Sequence, residues 1–307
     1  MASSTDNILI TGASGFIGSA LAYALAQDGF SVFILDRVDP QSPFYYDSEL
    51  NTVRLDEETP LRAVINLAGA NIADGRWSPQ RKKTIWDSRV ELTRALSEAL
   101  AKLPQKPKVL LSASAIGYYG NQCITATDEF GNPGTDFLAD LSVAWESATQ
   151  AASDAGIRVV WMRFGLVLAA HGGVLKKLVL PLRAAVVGRV GDGQHLQPWI
   201  TLSDLIRLIK QLLVEQDFSG PINLVAPAPA TNAEFSSAMA RALRRPQLPP
   251  LPAAVTRMLF GEMADAALLA SSHIISSRQQ ELAATLAYPT LDGALAAIYA
   301  TPTPDTE

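Results

Sequence analysis

The chain has 307 residues, 48% of them hydrophobic and 18% charged, with a formal net charge of −5. That length can bury a large core in one big domain or two modest ones, the composition is globular rather than disordered, and the acidic balance offers no basic face for nucleic acid. A single cysteine, Cys123, excludes an intramolecular disulfide and a thiolate-rich metal site, and fits a reducing compartment.

The N-terminal MASSTDNILITG has no basic stretch followed by an apolar one, so it does not read as a signal peptide. No run approaches about 18 uninterrupted apolar residues; VLKKLVLPLRAAVVG is broken by Lys176, Lys177, Pro181 and Arg183. The expectation is a soluble cytoplasmic protein. NILIT (7–11), SVFILD (31–36), AVINLAG (63–69), KVLLSAS (108–114) and IRVVWMR (157–163) are near-continuous apolar strands, the pattern of parallel strands covered on both faces. Between them the apolar periodicity predicts helices over Gly15–Gln27, Pro79–Leu103 and Asp136–Ala155. Repeated β-α-β of this kind predicts an α/β fold with a doubly wound, Rossmann-type parallel sheet.

Beyond residue 166 the pattern changes. GGVLKKLVLPLRAAVVG reads as helix and LQPWITL as a short strand, followed by a helix over SDLIRLIKQLLVEQ capped by Ser203. PINLVAP (221–227) reads as one more strand, TNAEFSSAMARAL as a helix capped by Thr231 or Asn232, and RRPQLPPLPAAV (244–255) as an extended connector. The domain expectation is a nucleotide-binding unit over 1–165, to which a strand near 221–226 returns, and a smaller substrate lobe over 166–307.

ILITGASGFIGSAL carries the strongest motif. A strand delivers Gly12, Gly15 and Gly18 into the start of a helix, giving a tight turn, room for a diphosphate against the backbone, and close helix–sheet packing. The second strand ends in Asp36, 24 residues after Gly12, where a carboxylate accepts the ribose hydroxyls of NAD. Arg37 follows, and a guanidinium there holds the 2′-phosphate of NADP. The two readings conflict, and an Asp–Arg turn capping the strand is a third. NLAGAN (66–71) ends the next strand in small residues, which leaves room for adenine and ribose or simply forms a turn.

SASAIGYYG places Ser114, Tyr118 and Tyr119 just beyond a strand, and these residue types either hold and protonate a substrate oxygen or pack. Arg76, Trp77, Arg81, Lys82 and Lys83 precede a helix; they either meet a substrate anion or form a solvated basic face. His195 and Trp199 lie in GDGQHLQPWI and are candidates to line a substrate cleft, with packing as the ordinary alternative. Asp128 and Glu129 read as solvated. His171 and His273 have no partner pattern, and no metal-ligand spacing occurs.

TGASGFIG, NLAG, SASAIGYYG and PWITLSDL together resemble the extended short-chain dehydrogenase/reductase superfamily. GRWSPQRKKTIWDSR (75–89), FLADLSVAWE (137–146), RFGLVL (163–168), GDGQHLQPWI (191–200), NLVAPAPATNAEF (223–235) and FGEMA (260–264) look like its atypical epimerase family branch, whose members are described as nucleoside-diphosphate-sugar epimerase-like. The likeness runs from Ile8 to about Ile298. It implies a Rossmann-type fold, usually with NADP, and leaves the substrate undefined. Carried over by position, Gly12, Gly15, Phe16, Ile17 and Gly18 would contact the cofactor diphosphate and Asp36 and Arg37 the adenosine ribose. Leu67 and Ala68 would lie along the adenine side, Thr84 and Arg89 would line the cofactor, and Val167 would face the nicotinamide. His195, Trp199 and Arg76 remain the substrate-side candidates. The branch more often has a small polar residue where this chain has Asp36, so NAD and NADP both stay open.

The superfamily pairs a tyrosine with a lysine four residues later, so that ammonium and phenol cooperate on one helical face. Here the corresponding helix reads FLADLSVAWE, and none of Tyr23, Tyr45, Tyr46, Tyr118, Tyr119, Tyr288 and Tyr299 has a lysine four residues on. Ser114 sits at the family's serine position. Tyr118 or Tyr119 would have to replace the missing acid, with Arg89 or Arg163 supplying positive charge. Two functions follow: an NAD(P)-dependent oxidoreductase or epimerase-like enzyme using Ser114, Tyr118 and Tyr119, or a non-catalytic NAD(P)-binding regulator. A small-molecule substrate is the expected partner and a homodimer an open option; nucleic acid and membrane are not expected.

Overall fold

A computed structural model describes residues 6–121, 123–170, 172–173, 188–247 and 249–300. The helix read into GGVLKKLVLPLRAAVVG and the side chain of His171 fall outside the described residues. The chain divides into two compact units: Met1–Tyr118 with Phe137–Arg163 and Ile209–Ile222, and Tyr119–Asp136 with Phe164–Leu208 and Asn223–Glu307.

Six strands, β1 (Asn7–Thr11), β2 (Ser31–Ile34), β3 (Ala63–Asn66), β4 (Val109–Ala115), β5 (Arg158–Phe164) and β6 (Gly220–Leu224), form one sheet in spatial order β6-β5-β4-β3-β1-β2, and all but Phe164, Asn223 and Leu224 belong to the first unit. The pairs β1–β2, β1–β3 and β3–β4 are parallel. Every residue of β3 and six of the seven in β4 are buried, as continuous apolar runs require when helices cover both faces. β2 departs from that expectation. It is the edge strand, with Ile34 55% exposed.

The helices are α1 (Phe16–Gln27), α2 (Pro79–Asp87), α3 (Val90–Lys102), α4 (Phe137–Ser147) and α5 (Gln150–Asp154). On α3, Leu92, Ala95, Leu96 and Leu100 enter one core cluster with Leu9, Val64, Leu110 and Val159; each buried leucine there contributes about 1.5–3 kcal/mol. Each of two stretches expected as one helix is broken in two. At 88–89 the Ser88 hydroxyl donates to Ile85 O and accepts from Ala70 N, while Arg89, the N-cap of α3 (φ −112°, ψ −63°), donates to Ala70 O. At 148–149 the Thr149 hydroxyl donates to Glu146 O and accepts from Trp161 Nε1. At both breaks a local side chain bonds to a group distant in the chain, the Ala70 backbone or Trp161 Nε1, which helical periodicity does not carry. A short antiparallel hairpin, Tyr45–Asp47 with Thr52–Arg54, has no counterpart in the sequence reading.

The second unit has its own core, with Leu168, Trp199, Phe235, Met239 and Leu295 among its members. Its described strands pair two at a time: Leu166–Ala169 with Trp199–Thr201, Leu196–Gln197 with Ala230–Thr231, and Cys123–Thr127 with Ser272–Ile274. LQPWITL, expected as one strand, is split at Pro198, which has no N–H to give to a ladder. The helix α6 (Leu202–Val214), whose residues from Ile209 on belong to the first unit, is capped by Thr201 rather than Ser203, since Thr201 Oγ1 accepts from Asp204 N. The helix α7 (Asn232–Ala242) begins with a full capping box between Thr231 and Glu234. Among the described residues no helix is long and apolar enough to cross a membrane, and no group of three or more His, Cys, Asp or Glu is placed to hold a metal ion.

Candidate active site

The strand order reverses at β1, with β2 on one side and β3 on the other, which opens a crevice at the carboxyl ends of β1 and β3. The glycine turn fills the bottom of that crevice. Gly12 has φ +68°, and a Cβ there would stand 2.7 Å from Leu67 O. A Cβ on Gly18 would stand 2.2 Å from Gly12 O, so the first turn of α1 can lie against the loop only as glycine. Gly15 is the N-cap of α1 and supplies no side-chain cap. The opening N–H groups of the helix therefore keep their donors for an anion. Phe16 and Ile17 are half-buried at the start of the same turn.

Register then aligns three polar side chains across adjacent strands: Thr11 faces Asn66, and Asn66 faces Ser112. Thr11 Oγ1 donates to Asn66 Oδ1 at 2.7 Å, and Asn66 Nδ2 donates to Thr93 Oγ1 at 2.8 Å and Ser112 Oγ at 3.2 Å. Leu67 and Ala68 donate their N–H groups to Thr11 Oγ1, which fixes the NLAG loop beside the glycine turn. At the tip of β2, Asp36 Oδ1 accepts from Val38 N at 2.7 Å and Asp39 N at 3.3 Å. Those backbone bonds hold its carboxyl below the ordinary aspartate range. The turn capping the strand thus exists, and Arg37 beside it is exposed.

Two residues beyond Ser112, Ser114 lies on the same face of β4. It is 2% exposed, and its hydroxyl donates to Glu146 Oε1 at 2.6 Å. Glu146, on the buried face of α4, also takes a two-pronged contact from Arg163 at the end of β5: Nε to Oε1 at 2.7 Å and Nη2 to Oε2 at 2.8 Å. The Arg163 Cζ lies 3.5 Å from the centroid of the Tyr118 ring. Ser114, Glu146, Arg163 and Tyr118 therefore form one connected group in the first unit. Glu146 was missed in the sequence. Its signal was a carboxylate on a buried helix face with Ala139, Leu141, Ser142 and Trp145, matched by Arg163 near the end of the apolar run RVVWMRF.

The remaining candidates separate by environment. Tyr119 is 1% exposed, and its hydroxyl donates to Asn223 Oδ1 at 2.8 Å. Asn223 in turn donates Nδ2 to Ile275 O and its N–H to Glu129 Oε1. Glu129, expected to be solvated, is 6% exposed and also accepts from Ser276 Oγ and Ser277 N. Tyr119 thus belongs to a buried network of the second unit, and Tyr118 is the phenol that reaches the Ser114 group.

Arg89 Nη1 donates to Ala70 O at 2.9 Å and Ile85 O at 3.2 Å, and its guanidinium lies 5.1 Å from the Trp145 ring centroid. Desolvation, with the charge of Arg81 second, pushes it down to about 10, so it stays cationic at neutral pH. Thr84 is exposed, with its hydroxyl bonded back to Gln80 O, and Arg76 is exposed. Val167 pairs with Ile200 within the second unit. Trp199 is 1% exposed in that unit's core. His195 is 7% exposed; burial lowers its pKa below the ordinary histidine value, against the opposing effects of Asp192 and the Leu268 carbonyl. Both side chains are buried, and among the described residues neither Trp199 Nε1 nor His195 Nε2 meets a hydrogen-bond partner.

The comparisons agree with this geometry. The profile described as the NAD dependent epimerase/dehydratase family matches residues 8–224. An epimerase family protein of Mycobacterium bovis is 38% identical over 299 residues, covering 97% of this chain and 98% of that protein. The crystal structure of a human epimerase family protein with NADPH superposes with a TM-score of 0.86 at 33% identity, covering 96% of this chain and 99% of that one. A UDP-glucose 4-epimerase of Thermotoga maritima, solved with UDP-glucose, has a TM-score of 0.75 at 18% identity and shares the fold.

Proposed function

Because the chain belongs to the NAD dependent epimerase/dehydratase family, we propose that it is an NADP(H)-dependent oxidoreductase or epimerase-like enzyme acting on a small carbonyl or hydroxyl compound. The observation that carries the reading is the cradle at Gly12, Gly15 and Gly18. Its Cβ positions at Gly12 and Gly18 are sterically closed and its helix start at Gly15 is left without a side-chain cap. The residues present fit a dinucleotide diphosphate there. NADP rather than NAD is supported by Asp36, whose Oδ1 is taken up by the N–H groups of Val38 and Asp39, and by the exposed Arg37. The human relative solved with NADPH points the same way.

When bound, the nicotinamide supplies or accepts hydride. The chain's own contribution is the Ser114 group. Because the Ser114 hydroxyl donates its hydrogen to Glu146, its oxygen is left as an acceptor for a substrate hydroxyl. Glu146 positions Ser114, and Arg163 holds both Glu146 and the ring of Tyr118. Tyr118 is then the proton donor or acceptor for the substrate oxygen. Arg89 and the NLAG loop border the cofactor, while Tyr119 has a structural role.

The test is single-turnover oxidation of bound NADPH against a panel of aldehydes, ketones and nucleotide sugars, in wild type, Ser114→Ala and Tyr118→Phe. Turnover in wild type that falls by at least about 100-fold in either variant supports the reading. A second reading, a non-catalytic NADP(H)-binding regulator, is favoured by the absence of tyrosine and lysine from α4. It prevails if no substrate oxidises the cofactor and neither variant changes any ligand affinity. For cofactor choice, NADPH should bind wild type at least about 10-fold tighter than NADH. A preference for NADH that reverses in Asp36→Ser would refute the NADP assignment.

A further inference from the structure

We propose that Arg81 and Arg89 together form a binding site for a phosphate group. Both guanidiniums are anchored on consecutive carbonyls of one loop, at the carboxyl end of β3. Arg89 Nη1 donates to Ala70 O, and Arg81 Nη2 donates to Asn71 O. The backbone is shaped to admit them: a Cβ on Gly69 would stand 2.9 Å from Arg89 Cζ. Arg81 is set by the start of α2, where its N–H donates to the Ser78 cap.

These two cations lie close enough for the charge of Arg81 to depress Arg89, and neither has a carboxylate partner among the described residues. Asp74 on the same loop accepts from Asn71 Nδ2, and Asp87 pairs with Lys83. The Arg81 Nε is closed to water and has no acceptor among the described residues. Leaving a closed donor unmade and two like charges together is unfavourable. A chain normally spreads such groups apart or pairs them. Arg94, one turn into α3, is paired in that way with Glu91.

An anion with several acceptor oxygens and up to two negative charges satisfies both forks at once, which describes phosphate better than a carboxylate. Lys82, with Nζ 4.9 Å from the Phe137 ring centroid, and Trp77, edge-on to the same ring at 5.4 Å, border the same segment of α2. The phosphate has two sources, the cofactor or the substrate. The inference needs only the first unit's loop and α2, so it stands apart from the reaction class.

The experiment uses the full-length protein with inorganic pyrophosphate and NADPH as probes. NADPH affinity is read from nicotinamide fluorescence, and pyrophosphate affinity by calorimetry on protein with and without saturating NADPH. If the phosphate is the cofactor's, Arg81→Gln weakens NADPH by about 10-fold or more and pyrophosphate competes with it. If it is the substrate's, pyrophosphate binds NADPH-saturated protein, Arg81→Gln weakens that binding by the same factor, and NADPH affinity is unchanged. Arg81→Lys keeps the charge without the fork and falls between the two. Lys83→Gln, on the same helix and already paired, behaves as wild type. An Arg81→Gln protein that binds both probes within about two-fold of wild type overturns the proposal. Arg81-dependent pyrophosphate binding in a protein that does not bind NADPH would sink the cofactor reading and leave this one standing.

Discussion

Replacing Glu146 by glutamine removes one negative charge and almost no volume from a helix face that is closed to water. Glu146 and Arg163 are 7% and 2% exposed, and three donors converge on the carboxylate at 2.6–2.8 Å: Ser114 Oγ, Arg163 Nε and Arg163 Nη2. An amide accepts through one atom only, so the substitution leaves the Arg163 charge buried without its counter-ion and turns an N–H group toward a donor. Breaking a buried pair from one side costs about 3–5 kcal/mol. Against a total stability of about 5–15 kcal/mol, that moves a urea midpoint by about 2 M for an m-value near 2 kcal/mol/M. Tryptophan fluorescence suits the measurement, because Trp77, Trp86, Trp145 and Trp161 of the five tryptophans lie in the first unit. The double variant Glu146→Leu with Arg163→Met replaces the pair by apolar groups and should recover most of the loss. A Glu146→Gln protein within about 1 kcal/mol of wild type, or a double variant no more stable than the single one, would refute the reasoning.

The other expectations concern the cofactor cradle and the second unit. Gly18→Ala drives a methyl into Gly12 O, which a Cβ already approaches to 2.2 Å, so NADPH affinity should fall by about 10-fold or more; unchanged affinity would show that the turn yields. Tyr119→Phe should leave turnover unchanged and lower stability by about 1–2 kcal/mol through the lost bond to Asn223, and a loss of turnover at unchanged stability would restore a chemical role. Burial raises the Glu129 carboxyl, but the bonds from Asn223 N, Ser276 and Ser277 together bring it below the ordinary value of 4.5. Its stabilisation is therefore present above pH 4.5 and lost as pH falls through the lower folded value. Stability profiles of wild type and Glu129→Gln should converge below that point; parallel profiles throughout would exclude the linkage.

The glycine turn and the strands of the first unit were legible in the sequence because their causes are local. A residue that must take φ +68°, or an apolar run that must be covered on both faces, is marked at its own position. The Rossmann-type assignment follows from those marks alone. Absent from the sequence were the groups formed by residues far apart in the chain: Ser114 with Glu146 32 positions on, or Tyr119 with Asn223 104 positions on. The missing tyrosine-lysine pair could be read directly, but not that a glutamate and an arginine occupy the interior beneath Ser114. Likewise Arg81 and Lys83 looked alike within one basic run. Only folding pairs Lys83 with Asp87 in solvent and turns Arg81 to the Asn71 carbonyl beside Arg89. Composition and spacing determine which backbone can form. Which charges meet is decided when the sheet and its helices bring distant side chains out of water together.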